Sequence, residues 1–78
     1  MPTVLRTGPY RVYFYSGDGG EPPHVHIERD EAVAKFWLNP VRFVHAQGFP
    51  MAEIRHIGVI IGVHEQRLTE AWNEFFGA

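Results

Sequence analysis

Hydrophobic and polar positions along this chain follow two different periods. Tyr10-Arg11-Val12-Tyr13-Phe14-Tyr15 is a run in which every residue except Arg11 favours extended backbone, and it runs into the turn-forming stretch Ser16 to Pro23. From His24 to Arg29 the pattern alternates: His24, His26 and Glu28 fall on one face, and Val25 and Ile27 on the other, as in a half-buried strand. Arg29-Asp30-Glu31 reads as a polar turn. Ala32 to Leu38, apolar except for Lys35, reads as a central strand that Asn39-Pro40 ends. Val41 to His45 gives a short further strand. Such short connections favour an antiparallel meander. After Gly48-Phe49-Pro50 the period lengthens: Ile54, Ile57, Ile61, Leu68, Trp72 and Phe75 recur at spacings of three, four and seven, which places them on one stripe of a helix. Pro50 suits a helix start, and Glu53 in the first turn complements the helix dipole. Gly58 and Gly62 either allow close approach of another backbone or mark a break; the expectation is one helix from Met51 to Phe76, ended by Gly77-Ala78. The expected fold is therefore α+β: an antiparallel meander of three to four strands followed by one long C-terminal helix packed on one sheet face, in a single domain spanning residues 1–78.

Composition narrows the function. Seventy-eight residues hold one core at most. Seven basic against nine acidic residues, a formal net charge of −2, give no electrostatic footprint for nucleic acid. Without cysteine there is neither disulfide nor thiolate chemistry. No apolar run nears the roughly 18 residues of a membrane span, and the N-terminus lacks signal-peptide character, so a cytoplasmic location is expected and no membrane partner.

The sharpest chemical feature is Glu21-Pro22-Pro23-His24-Val25-His26. Two histidines at i and i+2 on a strand point to one face with Cα atoms about 6.6 Å apart, close enough to converge on one divalent transition metal ion or one phosphate. The two prolines fix the backbone just before them. His24 and His26 are thus the candidates both for metal ligation and for general acid and base, with His45, His64 or Glu28 as possible further ligands and Arg11 or Arg29 as charge stabilisers. The plain alternative is that they are polar positions on a half-exposed strand. Ser16 is the only serine and has no base beside it in sequence, and Gly17 to Gly20 leads through prolines into a strand and not into a helix, so nucleophilic catalysis and a phosphate-cradling loop are both set aside in favour of a mobile hairpin connection. Whether the domain is an enzyme, and whether it uses any cofactor, is left open by these residues.

A second feature concerns partners. Val59 and Val63 lie one turn apart, opposite the isoleucine stripe, where charge would be ordinary; Tyr13 and Tyr15 lie on the strand face opposite Val12 and Phe14. These four are the candidate partner-binding residues. Isolated apolar side chains on a surface are the plain alternative.

Met1-Pro2-Thr3-Val4, the Pro22-Pro23-His24-Val25-His26 motif, Glu31-Ala32, and His64-Glu65-Gln66-Arg67-Leu68-Thr69-Glu70-Ala71-Trp72 together resemble a family of short prokaryotic proteins classed as a domain of unknown function, over nearly the whole chain. The Gly17 to Gly20 loop is longer here than in the common pattern. The resemblance implies a neighbouring gene for a small cognate protein and, for some members, the toxin side of a type II toxin–antitoxin pair. It carries over His24, His26 and Trp72 as matching positions but no catalytic set. The leading expectation is a small protein-interaction module, one component of such a pair or a homo-oligomer; the alternatives are a small ribonuclease-like enzyme using His24 and His26, or a histidine-based metal-binding protein.

Overall fold

The computed structural model describes residues 3–77; Met1, Pro2 and Ala78, which belong to the opening motif and the helix ending noted above, lie outside them. Five strands, β1 (Thr3–Thr7), β2 (Tyr10–Tyr13), β3 (His24–Arg29), β4 (Ala32–Trp37) and β5 (Arg42–Gln47), form one antiparallel sheet in sequential order. Two helices follow, α1 (Met51–Val63) and α2 (Glu65–Phe76). The α+β class and the meander agree with the sequence pattern, while β1 is a strand it did not predict. β1 reaches β2 through Gly8-Pro9, with Gly8 at φ +55, a value that favours glycine in a tight hairpin turn. Asp30, at φ 55, serves likewise between β3 and β4, since aspartate tolerates the left-handed region better than most residues.

Alternation sorts the sheet into two faces. Val12 and Phe14 of the β2 segment, Val25 and Ile27 of β3 and Ala34 and Phe36 of β4 are buried, and α1 covers this side with Ile54, Ile57 and Ile61. Arg11, Tyr13, His26, Glu28 and Lys35 take the other face, in register as Tyr13↔His26↔Lys35 and Arg11↔Glu28.

The single long helix is corrected to two. His64, at φ −103 and ψ 12, leaves helical geometry, and its N–H bonds to the carbonyls of Ile60 and Ile61. Neither glycine forces this break: a Cβ at Gly58 would meet Phe36 at an ordinary 3.5 Å, and one at Gly62 would meet nothing within 4 Å. The turn at His64 instead carries α2 to the end of the sheet where β2 stops and β3 begins. There Leu68 and Trp72 are buried, and Trp72 packs against Phe14, ring centroids 5.4 Å apart. The bend also resets the stripe, so Phe75 is 48% exposed, whereas Phe76 packs on Trp72 at 4.3 Å. Among the described residues no helix is long and apolar enough to cross a membrane.

Candidate metal centre

The site is assembled by one strand start and one loop. His24 opens β3 and His26 follows two residues later, so both rings leave the same face, their centroids 5.1 Å apart and nearly perpendicular. The turn-rich stretch before them is not a loose connection. Ser16–Gly20 forms a single 3₁₀ turn in which the Asp18 N–H donates to the Tyr15 carbonyl (3.0 Å) and the Glu21 N–H to the Asp18 carbonyl (3.1 Å). Gly19 lies directly under Phe76: a Cβ there would stand 2.8 Å from that ring, so only glycine lets the turn seat against α2 without displacing it. The turn swings Asp18 over the start of β3, where its Oδ2 lies 3.1 Å from Nε2 of His24 and 3.1 Å from Nε2 of His26. The same oxygen accepts the Tyr15 N–H at 2.8 Å.

The two prolines contribute carbonyls. That of Pro23 accepts the Leu38 N–H at 2.9 Å, tying the loop to the end of β4. That of Pro22 stands 3.0 Å from Nδ1 of His24. A carbonyl only accepts, so Nδ1 carries the hydrogen, and in the neutral ring Nε2 presents a bare lone pair. This lone pair faces a carboxylate oxygen. His24 is 0% exposed, and its Nε2 is a buried polar atom without a hydrogen-bond partner. Burying such an atom unpaired costs about 1–3 kcal/mol, and two facing lone pairs add repulsion. A cation in the gap removes both penalties.

The two Asp18–histidine distances match those between ligands of one metal ion. Nitrogen and oxygen ligands about 2.1 Å from one ion stand roughly 3.0 Å apart in octahedral and 3.4 Å apart in tetrahedral geometry, which brackets the 3.1 Å found here. All three donor atoms lie within 4.8 Å of one another. A bond from the far ring nitrogen to a backbone carbonyl, as at His24, is how metal-bound histidines are usually oriented.

An aromatic shell encloses the pair. Trp72 and Trp37 lie 5.0 and 5.6 Å from His24, Tyr13 stacks on His26 at 5.4 Å, and Tyr15 meets it edge-on at 4.9 Å. Burial lowers the pKa of His26 against the opposing pull of Asp18, keeping the ring neutral and able to ligate. Burial alone would raise that of Asp18, but the Tyr15 N–H and the two imidazoles, when they carry the proton, outweigh it and the net shift is downward. The shift of His26 favours its ligating form.

The other sequence candidates stand apart. Glu28 is on the correct face but takes a hydrogen bond from Arg11 at 2.8 Å. His45 is on β5 opposite Lys35, two strands from His26 and so about 10 Å away, and His64 sits at the helix junction. Arg29 projects to the opposite face and pairs with Glu53. Of the two acid–base candidates, His24 is enclosed and His26 keeps partial exposure. Of the four partner-binding candidates, Val59 (67%), Val63 (74%) and Tyr15 are exposed, whereas Tyr13 is buried beneath Arg11, whose guanidinium lies 4.2 Å from the ring centroid. The member of the cluster that sequence reasoning missed is Asp18. Its signal was an acidic residue in a glycine-rich turn six positions before the first histidine, in a connection that must fold back over the start of the next strand.

No curated protein and no solved structure matches the chain. One family does, over residues 10–73, a stretch that runs from β2 into α2 and contains Asp18, His24 and His26. The chain belongs to the family described as Domain of unknown function (DUF4160).

Proposed function

We propose that this protein binds a divalent transition metal ion through Asp18, His24 and His26, and that the ion is the centre of its activity. The observation that carries this is the buried, partnerless Nε2 of His24, held by the Pro22 carbonyl in the tautomer that aims its lone pair at Asp18. Three protein ligands leave positions open on the ion, as in sites where a metal polarises a bound molecule and unlike the closed four-ligand sites that only brace a fold. When bound, the ion supplies Lewis acidity. Asp18 and the two imidazoles hold it, and Trp37, Trp72 and Tyr13 keep bulk water from the ligand side.

The test is calorimetric titration of Zn²⁺, Ni²⁺ and Co²⁺ into the metal-free protein. One equivalent is expected, with Asp18→Ala, His24→Ala and His26→Ala each weakening affinity at least 100-fold and His45→Ala leaving it unchanged. Equal, millimolar-range heats for the parent and the ligand variants would sink the proposal.

A second reading is a protein-interaction role, as the toxin-side member of a toxin–antitoxin-like pair or as a homo-oligomer. The exposure of Val59 and Val63 side by side on α1 supports it. Co-purification of a small protein from the native operon, lost in a Val59→Glu, Val63→Glu variant, is the outcome it requires.

A further inference from the structure

The residues around the open side of the ion limit what can bind there. His24 is closed off by Trp37 and Trp72, so a ligand would reach an ion held here from the side where Asp18 and His26 keep partial exposure. Lys35 is the cross-strand partner of His26 on the same sheet face. Its ammonium donates to Oε1 of Glu21 at 2.7 Å and lies 4.7 Å from the Trp37 ring centroid, and the same Glu21 oxygen is 3.7 Å from Nδ1 of His24. Glu21 is half exposed, whereas Lys35 is mostly covered, so the carboxylate can swing into water while the ammonium stays on the sheet face that carries His26. With Asp18 ionised and Lys35 paired to Glu21, a divalent ion leaves the site with one net positive charge. Departure of Glu21 makes it two.

We infer that the open positions take a phosphate group, one oxygen bound to the ion and another receiving the Lys35 ammonium, which leaves Glu21 to do so. This rests on the metal reading. A phosphate dianion matches the charge exposed once Glu21 has gone, and its tetrahedral oxygens can reach ion and ammonium together, which the two oxygens of a carboxylate do less well. Glu21 is then an internal competitor for the ligand's place on Lys35.

The experiment loads the protein with Co²⁺, measures that affinity first, and then titrates inorganic phosphate while following its ³¹P relaxation. Saturable binding is expected; Lys35→Gln should weaken it roughly tenfold and Glu21→Gln strengthen it several-fold, both variants binding Co²⁺ as the parent does. Opposite signs from the two halves of one ion pair are what a merely structural pair would not give. Failure to bind Co²⁺ overturns the metal reading, and this inference with it, before phosphate is added. Co²⁺ binding without phosphate binding, or phosphate affinity identical in both variants, overturns the inference alone. Acetate bound as tightly as phosphate overturns the ligand class.

Discussion

Two polar clusters leave opposite faces of strand β3, and they differ in one respect. On the α1 side, Arg29 donates from Nε and Nη2 to the two carboxylate oxygens of Glu53 at 2.7 and 2.8 Å, and the Tyr10 hydroxyl donates to the same carboxylate at 2.7 Å. The Arg29 bonds, then that of Tyr10, lower the pKa of Glu53, and each polar atom named has its partner. On the other side, one oxygen of Asp18 confronts two imidazole nitrogens, and the one on His24, in the neutral ring, has no hydrogen to give. The first cluster is complete as protein and fastens the start of α1 to the sheet. The second leaves Nε2 of His24 without a hydrogen-bond partner, and the proposed metal ion would supply one. The satisfied, partly buried network acts as a brace, and the unsatisfied one is the proposed binding site.

The largest expected effect tests the wall between the two regions. Trp72→Ala should cost about 3–5 kcal/mol in chemical denaturation, because Trp72 packs on Phe14, Phe76 and His24 at once. A loss below about 1 kcal/mol would mean that α2 does not anchor the site. Next come the ligands themselves: Asp18→Asn should abolish tight metal binding yet leave the metal-free fold standing, whereas Glu53→Gln should lower the melting temperature and leave metal affinity unchanged. If both substitutions moved both quantities, the division into brace and binding site would fail.

Acid separates the clusters further. His26 has its folded pKa lowered by burial, so the unfolded chain takes up that proton first. The stability it contributes is present above about pH 6.5 and is lost as pH falls through the lower folded value. The lowered values of Asp18 and Glu53 contribute stability that is present above the ordinary carboxylate range, about pH 4, and lost below it. His26→Gln should therefore flatten the pH dependence of the metal-free melting temperature just below pH 6.5, and Glu53→Gln only the branch in stronger acid. Tyr10→Phe, which removes one hydrogen bond from the brace, should cost about 1 kcal/mol. The smallest effect belongs to Val59→Glu with Val63→Glu: stability within about 0.5 kcal/mol of the parent, with any change confined to association measured by light scattering.

Most of the sheet was legible because its residues obey a period of two. His24 and His26 share a face for that reason alone, and the isoleucine stripe found the buried side of α1 by the same logic at 3.6. Three things escaped. β1 is short, and Arg6 and the bulge near Thr3 and Leu5 blur its alternation, so only the Gly8-Pro9 turn announced it. The bend at His64 has no local breaker, since the force that sets it is the packing of Trp72 at a distant sheet end. Asp18 lies in a turn, where no period applies; its position follows from Gly19 seating on Phe76, a contact between residues far apart in sequence.

The three proposed ligands occupy only residues 18 to 26, and this sets how a bound ion would act on the whole molecule. A metal that ties distant segments together removes much of the entropy of the unfolded chain, but one that closes so short a loop removes little. Its stabilising effect is then mass action alone, about 2.7 kcal/mol when free metal exceeds the dissociation constant 100-fold, and it vanishes with the metal. A chelator should strip the ion and leave the five strands and two helices in place, ready to be loaded again. On the metal proposal, residence of the ion would thereby be uncoupled from survival of the fold, and the site would answer to the metal supply around it.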